Sequence, residues 1–406
     1  MVIIASSLGL GSLALTATAG TPHDYLYMVD PISFNIRTVD TENNQKGPII
    51  EGLIEPHAIS ATPDGKTVFV ADKHGINVID TASNAVTGRI NGTQNLSIAE
   101  MKVSGDATRL FVADKAQPVI YVFGVGDYGR LSQINVTSGK SPQHIEVSPD
   151  GKVLYISTGN RIETYETGTG NRVSESGFGN VNAMALDPNG TYLYVVTGDT
   201  NPGTVKAIKT ADMSEEWSTH AGPNPQSICV SPDGRLVFTA NRDDLSVSVI
   251  DTEEKGWMKD VYTALYPHRV VVTSDGRSVY VVSELGIVSK ITVSDFSAKN
   301  VQTDLAVDEL TVARIDGKLY APPATPTPVP ATPAPEPATP VPTVEPATPT
   351  PTEVPVDATA MPTEAPVTPT PGSKSTAGCL GLLLPLLGGI VVIGPVADAI
   401  RRKRLK

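Results

Sequence analysis

His57, His268 and Glu309 occupy one and the same place in a recurring pattern. Each lies seven residues ahead of the third residue of a tight-turn sequence (Asp64, Asp275 and Asp316). Two imidazoles and a carboxylate form a donor set for a divalent cation, each ligand about 2 Å from the ion. The other copies of the pattern place Ala99, Gln143, Asn182 and Gln226 at that position, so six of the seven residues are polar. Such a set can equally make hydrogen-bonding contacts to a ligand, or line a water-filled opening with no ligand at all. Three residues further on stand Ser60, Lys102, Glu146, Ala185, Cys229, Val271 and Val312. Lys102 and Glu146 belong to consecutive copies and are expected to pair, in a structural rather than a catalytic role.

Other chemistry is hard to find. There is no Gly-x-Ser-x-Gly nucleophile turn, no His-Glu-x-x-His zinc helix and no phosphate-cradling Gly-x-x-x-x-Gly-Lys. The two cysteines, Cys229 and Cys379, exclude a disulfide scaffold and a four-cysteine zinc site. The chain carries 43 acidic against 31 basic residues and a formal charge of −12. Nucleic-acid binding needs the opposite balance, because phosphates must be neutralised.

The turn that sets the spacing recurs along the middle of the chain: Thr62–Gly65, Ser104–Ala107, Ser148–Gly151, Asp187–Gly190, Ser231–Gly234, Thr273–Gly276 and Arg314–Gly317. Its third residues are separated by 42, 44, 39, 44, 42 and 41 positions. Pro presets φ, Asp bonds its own backbone and Gly takes positive φ, which makes Pro-Asp-Gly a turn by mechanism. Short runs rich in β-branched and aromatic residues flank each turn, such as AISA before and TVFVAD after, with GINVIDT beyond. Runs of this length bounded by turns are strands. Four strands per copy at about ten-residue spacing make a propeller blade. The aspartates of the IDT and VDT runs (Asp40, Asp80, Asp251) recur with the repeat and are expected to cap turns rather than act as acids.

Residues 23–43 look like the second and third strands of a copy that lacks its first, and residues 308–320 supply that first strand and turn. The expected fold is therefore all-β: a seven-bladed β-propeller over residues 21–321, its four-stranded blades closed by shared N- and C-terminal strands. In a closed ring His268, Glu309 and His57 fall on adjacent blades around one channel mouth. The runs VFVADKHGINVIDTASNAV and VFTANRDDLSVSVIDTEE, each after a Pro-Asp-Gly turn, resemble the YVTN-type β-propeller repeat of archaeal and bacterial surface-layer and exported proteins. The resemblance covers roughly residues 23–321 and implies a fold more than an activity, since that propeller type hosts binders, coat proteins and some enzymes. Copy two departs from it (SGDA for PDG), as does copy four, with VKAIKTADM at its third strand.

The ends point to an envelope location. Residues 1–19 are apolar, small and uncharged, with Ala17-Thr18-Ala19 as a cleavage-type triplet, and read as an export signal that lacks its usual basic start. Residues 322–377 form a Pro/Thr-rich stalk expected to be disordered; 18 of the 34 prolines fall between Pro322 and Pro371. Proline withdraws backbone donors and favours extended polyproline structure, so this stretch can build no core. Residues 378–397 read as one transmembrane helix, Cys379–Ala397 being free of charge and long enough for about 28 Å of helix. The basic residues of 398–406 read as a cytoplasmic tail. Asn91, Asn95, Asn135 and Asn189 head Asn-x-Ser/Thr sequons and are expected glycan acceptors on an exported chain.

Taken together, the sequence predicts a cell-surface, membrane-held propeller without enzymatic activity. Its expected work is envelope or surface-layer architecture, or adhesion and ligand binding, with envelope proteins or glycans as partners and no nucleic acid. No organic cofactor is expected. The alternative is an exported propeller enzyme, lactonase-like or quinoprotein-like, with a metal or cofactor at the channel mouth.

Overall fold

The computed structural model describes residues 23–198, 201–301 and 307–315. They form seven four-stranded antiparallel sheets, arranged as the blades of a propeller. The innermost strands are Ala58–Ala61, Ile98–Val103, His144–Val147, Val181–Leu186, Pro225–Val230, Pro267–Val272 and Glu309–Ile315. We number the blades one to seven in that order. Each innermost strand touches that of the next blade, and the seventh touches both the sixth and the first, so the ring closes. The signal, stalk, membrane span and tail read from the sequence lie outside the described residues. Among the described residues no helix is long and apolar enough to cross a membrane.

Blade seven is built from both ends of the described chain. The strand Glu309–Ile315 pairs with His23–Asp30 in antiparallel register, with Leu26 opposite Val312 and Tyr27 opposite Thr311. The two remaining strands of that blade are Asn35–Asp40 and Lys46–Ile50. Pairing the termini removes two sheet edges that would otherwise lie open.

The strands after each turn are apolar at nearly every position because both faces of each sheet are covered. In Thr67–Asp72, Phe69 and Ala71 pack toward blade two, while Val68 and Val70 pack toward blade seven. Seven apolar clusters result, one at each interface between neighbouring blades. The period-two pattern of the sequence is thus a division of side chains between two neighbours, with no solvent side.

The recurring turns fasten the blades internally at one end. In blade three, Ser148 Oγ donates to Asp150 (2.7 Å) and accepts the Val153 amide (2.9 Å), while Gly151 takes φ +70°. In four blades the threonine that ends the IDT-like run then fastens the glycine carbonyl, Thr81 to Gly65, Thr167 to Gly151, Thr210 to Gly190 and Thr252 to Gly234, whereas Thr41 donates to the Asp24 carbonyl. The aspartates before two of those threonines accept turn amides, Asp80 from Ser83 (2.9 Å) and Asp251 from Glu253 (2.9 Å). Asp40 does the same with Glu42 (2.8 Å), so all three are turn caps.

Candidate functional site at the channel

Four of the seven innermost strands carry a β-bulge at their entry. The bulges fall between Ile98 and Glu100, Val181 and Ala183, Pro225 and Ser227, and Pro267 and Arg269. The extra residue in each is the one that stands seven before the turn: Ala99, Asn182, Gln226 and His268. A bulge sets two residues against one on the partner strand and re-aims the side chains beside it. The next residues, Glu100 and Arg269, consequently reach the channel, and in blade three His144 does too. Counting strict alternation overlooks this second tier, which adds Glu100, Arg269 and His144 to the channel.

Inside the ring lies a cavity of about 500 Å³. It adjoins a more open one of about 550 Å³ at the mouth formed by blades two to five, and Ala99, Gln143, His144 and Gln226 line both. Glu309 lines the inner cavity and Asn182 the outer one. His57 lines neither; its Nδ1 lies 3.0 Å from the Glu55 carbonyl on its own chain segment. His268 Nε2 sits 3.1 Å from the Asp308 carbonyl and 3.5 Å from its carboxylate.

The expected metal set does not converge. Glu309 is held by Arg269, whose Nε donates to it at 2.7 Å, while His57 and His268 turn to other partners. Among the described residues no three His, Cys, Asp or Glu side chains are placed to share an ion. The bulge at His268 brings Arg269 against Glu309 and leaves the imidazole facing Asp308.

The channel charges instead form pairs between blades. Lys102 Nζ donates to Glu146 at 2.7 Å, joining blades two and three, and lies 3.6 Å from Glu100. Glu100 also accepts the Ile145 amide (2.9 Å) and faces His144 Nδ1 at 3.6 Å. Burial opposes ionisation of Glu100, but Lys102, His144 and the amide outweigh it and hold the carboxyl at about 2. Glu146 shifts the other way: burial and the Glu100 charge raise it despite the Lys102 ammonium. Two carboxylates share one cation, so one of them must be easier to protonate. Burial likewise raises Glu309 against the pull of Arg269. Burial would lower His268, but its hydrogen bond to Asp308 prevails and raises it.

The outer mouth is of another character. Gln143, Asn180, Asn182, Asn224 and Gln226 place five carboxamides around it. Some are tied to each other, Asn180 donating to Asn182 (3.0 Å) and Gln226 to Asn224 (2.5 Å), while Asn182 donates to the Pro225 carbonyl (2.8 Å) and Asn224 to Asp243 (3.2 Å). The sequon residues Asn91, Asn95, Asn135 and Asn189 are all exposed. Cys229 lines the inner channel, and burial raises its thiol far above the ordinary range.

The family model described as "Lactonase, 7-bladed beta-propeller" matches residues 158–269, from the middle of blade three to the start of blade six. That stretch holds Asn180, Asn182, Asn224 and Gln226 but not Glu100, Lys102, His144, Glu146 or Glu309. No curated protein matches the chain. Among solved structures, hydrazine synthase of Kuenenia stuttgartiensis is similar at a TM-score of 0.57 and 19% identity, over 74% of this chain and 100% of that one. At that identity the likeness speaks for the fold alone. The chain is a seven-bladed β-propeller with a paired, charged channel and a carboxamide-lined mouth, similar over blades four and five to lactonase-type propellers.

Proposed function

We propose that this propeller is a non-enzymatic head held at the cell surface, an envelope or adhesion component whose channel mouth takes an uncharged polar ligand. The observation that carries the reading is the pairing of the channel charges. Lys102 with Glu146 and Arg269 with Glu309 each lie across a blade interface, where they serve ring assembly. The five carboxamides of the outer mouth offer both donors and acceptors without net charge. Glycan hydroxyls and peptide main chain are the chemistries that such a lining matches. The export signal, stalk, span and basic tail read from the sequence support the location, and the exposed sequon asparagines support glycosylation there. The repeat's resemblance to surface-layer propellers points the same way.

The test is a glycan and peptide binding screen with residues 21–321, repeated with Gln143→Ala and Asn182→Ala. Binding lost in both variants supports the mouth as the site; no binding by any glycan or peptide counts against the reading. Fractionation of cells making the full chain tests the location, since a product found only in the soluble fraction contradicts a membrane-held head.

A second reading, an exported lactonase-like enzyme, is favoured by the match over residues 158–269. It predicts lactone hydrolysis by the purified chain, with stoichiometric metal that falls in His268→Ala. Hydrolysis at the buffer rate sinks it.

A further inference from the structure

Blades six and seven enclose another cavity, of about 350 Å³, lined by Lys46, Lys290, Lys299, Asn44, Asn300 and Thr292 among others. It shares no residue with the channel. Among the described residues no aspartate or glutamate lines it, in a chain of net charge −12.

Lys290 and Lys299 are directly opposed across their antiparallel strands, Ile287–Thr292 and Ser297–Val301. Like charges so placed repel and weaken a sheet. Lys290 is also half-buried. Its ammonium donates to the Thr41 carbonyl at 2.6 Å and lies 5.5 Å from the Tyr280 ring centre. Neither Lys290 nor Lys299 forms an ion pair among the described residues. Burial lowers the Lys290 pKa, and the more distant Asp275 and Asp40 only partly offset this. A part-buried ammonium without an ion-pair partner carries a desolvation cost that an anion would offset.

The neutral groups around the two lysines have the same bias. Asn44 Oδ1 accepts from the Tyr280 hydroxyl (3.0 Å), and Asn300 Oδ1 accepts from the Ser289 hydroxyl (3.0 Å). With both carbonyl oxygens engaged, each carboxamide keeps its NH2 group as the available donor. Cations and N–H donors are what an oxyanion requires.

We propose that the cavity between blades six and seven binds an oxyanion group (sulfate, phosphate or carboxylate) between Lys290 and Lys299, with Asn44 and Asn300 as donors. The site is independent of the channel and its ligand.

The test is calorimetric titration of the full chain with sodium sulfate at constant ionic strength, then with a sulfated oligosaccharide. Saturable binding is expected. It weakens by about tenfold in Lys299→Gln and in Lys290→Gln, as for loss of one hydrogen bond to a charged group. Lys66→Gln, at an exposed turn, leaves it unchanged. Lys299 is exposed, so its variant carries the test even if Lys290→Gln disturbs packing. Sulfate binding with no gain from the oligosaccharide identifies a free anion. Tighter binding of the oligosaccharide, with the same Lys299 dependence, identifies a charged group on a glycan. Heats no larger than those from chloride overturn the proposal, as does an equal loss in Lys66→Gln or indifference to both Lys290 and Lys299.

Discussion

At the residue scale, the channel cluster of Glu100, Lys102, His144 and Glu146 makes opposite predictions for two chemically identical side chains. Glu100→Gln removes a carboxylate held at about 2 by Lys102, His144 and the Ile145 amide, and is expected to destabilise the fold. The Glu100 contribution is present above its unfolded value near 4.5 and is lost as pH falls toward 2. Urea unfolding of wild type and Glu100→Gln should therefore differ at neutral pH and converge in strong acid. Glu146 has a raised pKa, so its ionised form costs stability at neutral pH, and the cost is relieved on acidification. Glu146→Gln still accepts from Lys102 and is expected to match or exceed the wild-type melting temperature. Lys102→Met deprives both carboxylates of their shared ammonium and should cost about 3 kcal/mol in the same measurement. A turn residue gives a further test. Ala107 sits at φ +56°, where five of the other described turns of this kind use glycine. Relieving that left-handed strain by Ala107→Gly should stabilise the chain by about 1 kcal/mol in chemical denaturation.

At the scale of elements, the contrast between what the sequence reveals and what it hides is sharp. The seven turns, the strand pattern and the shared blade follow from Pro-Asp-Gly chemistry and from apolar runs, and the described strands lie where those signals put them. The ring of channel residues was only partly legible. Gln143, Asn182, Gln226 and Glu309 do line the channel, but His57 does not, and Glu100 and Arg269 stand one position beyond the counted one. The cause is the bulge, which carries no strong residue signature and resets a period of two. A charged residue inside an otherwise apolar strand entry, as in IAEMKV and PHRVVV, was the available clue. The cavity beside Lys290 was not legible at all, because it joins strands with a loop some 250 positions away, a separation set by ring closure. Gly65 offers a test of that closure. A Cβ there would lie 1.5 Å from the Arg314 carbonyl of blade seven, and its φ is +67°. Gly65→Ala should destabilise by several kcal/mol, roughly the sum of left-handed strain and an overpacked contact.

At the scale of the molecule, stability rests on seven similar interfaces, so each blade depends on two others. Ending the chain at residue 301 removes the strand Glu309–Ile315 and leaves His23–Asp30 with an open side. Such a chain should lose the single cooperative unfolding transition of the full propeller and become sensitive to limited proteolysis. The Asp24 carboxylate, which accepts the backbone amide and hydroxyl of Ser274 in blade six, should be released at the same time. Leu26, Tyr27 and Met28 are fully buried in the finished ring. During synthesis, however, Tyr25 waits for Ala313, its partner 288 positions later in the sequence. The first of the described strands is thus the last to be satisfied. A polypeptide with that timetable can seal its circle only after residue 313 has been made, so blade seven is the slowest part of the molecule to find all its partners.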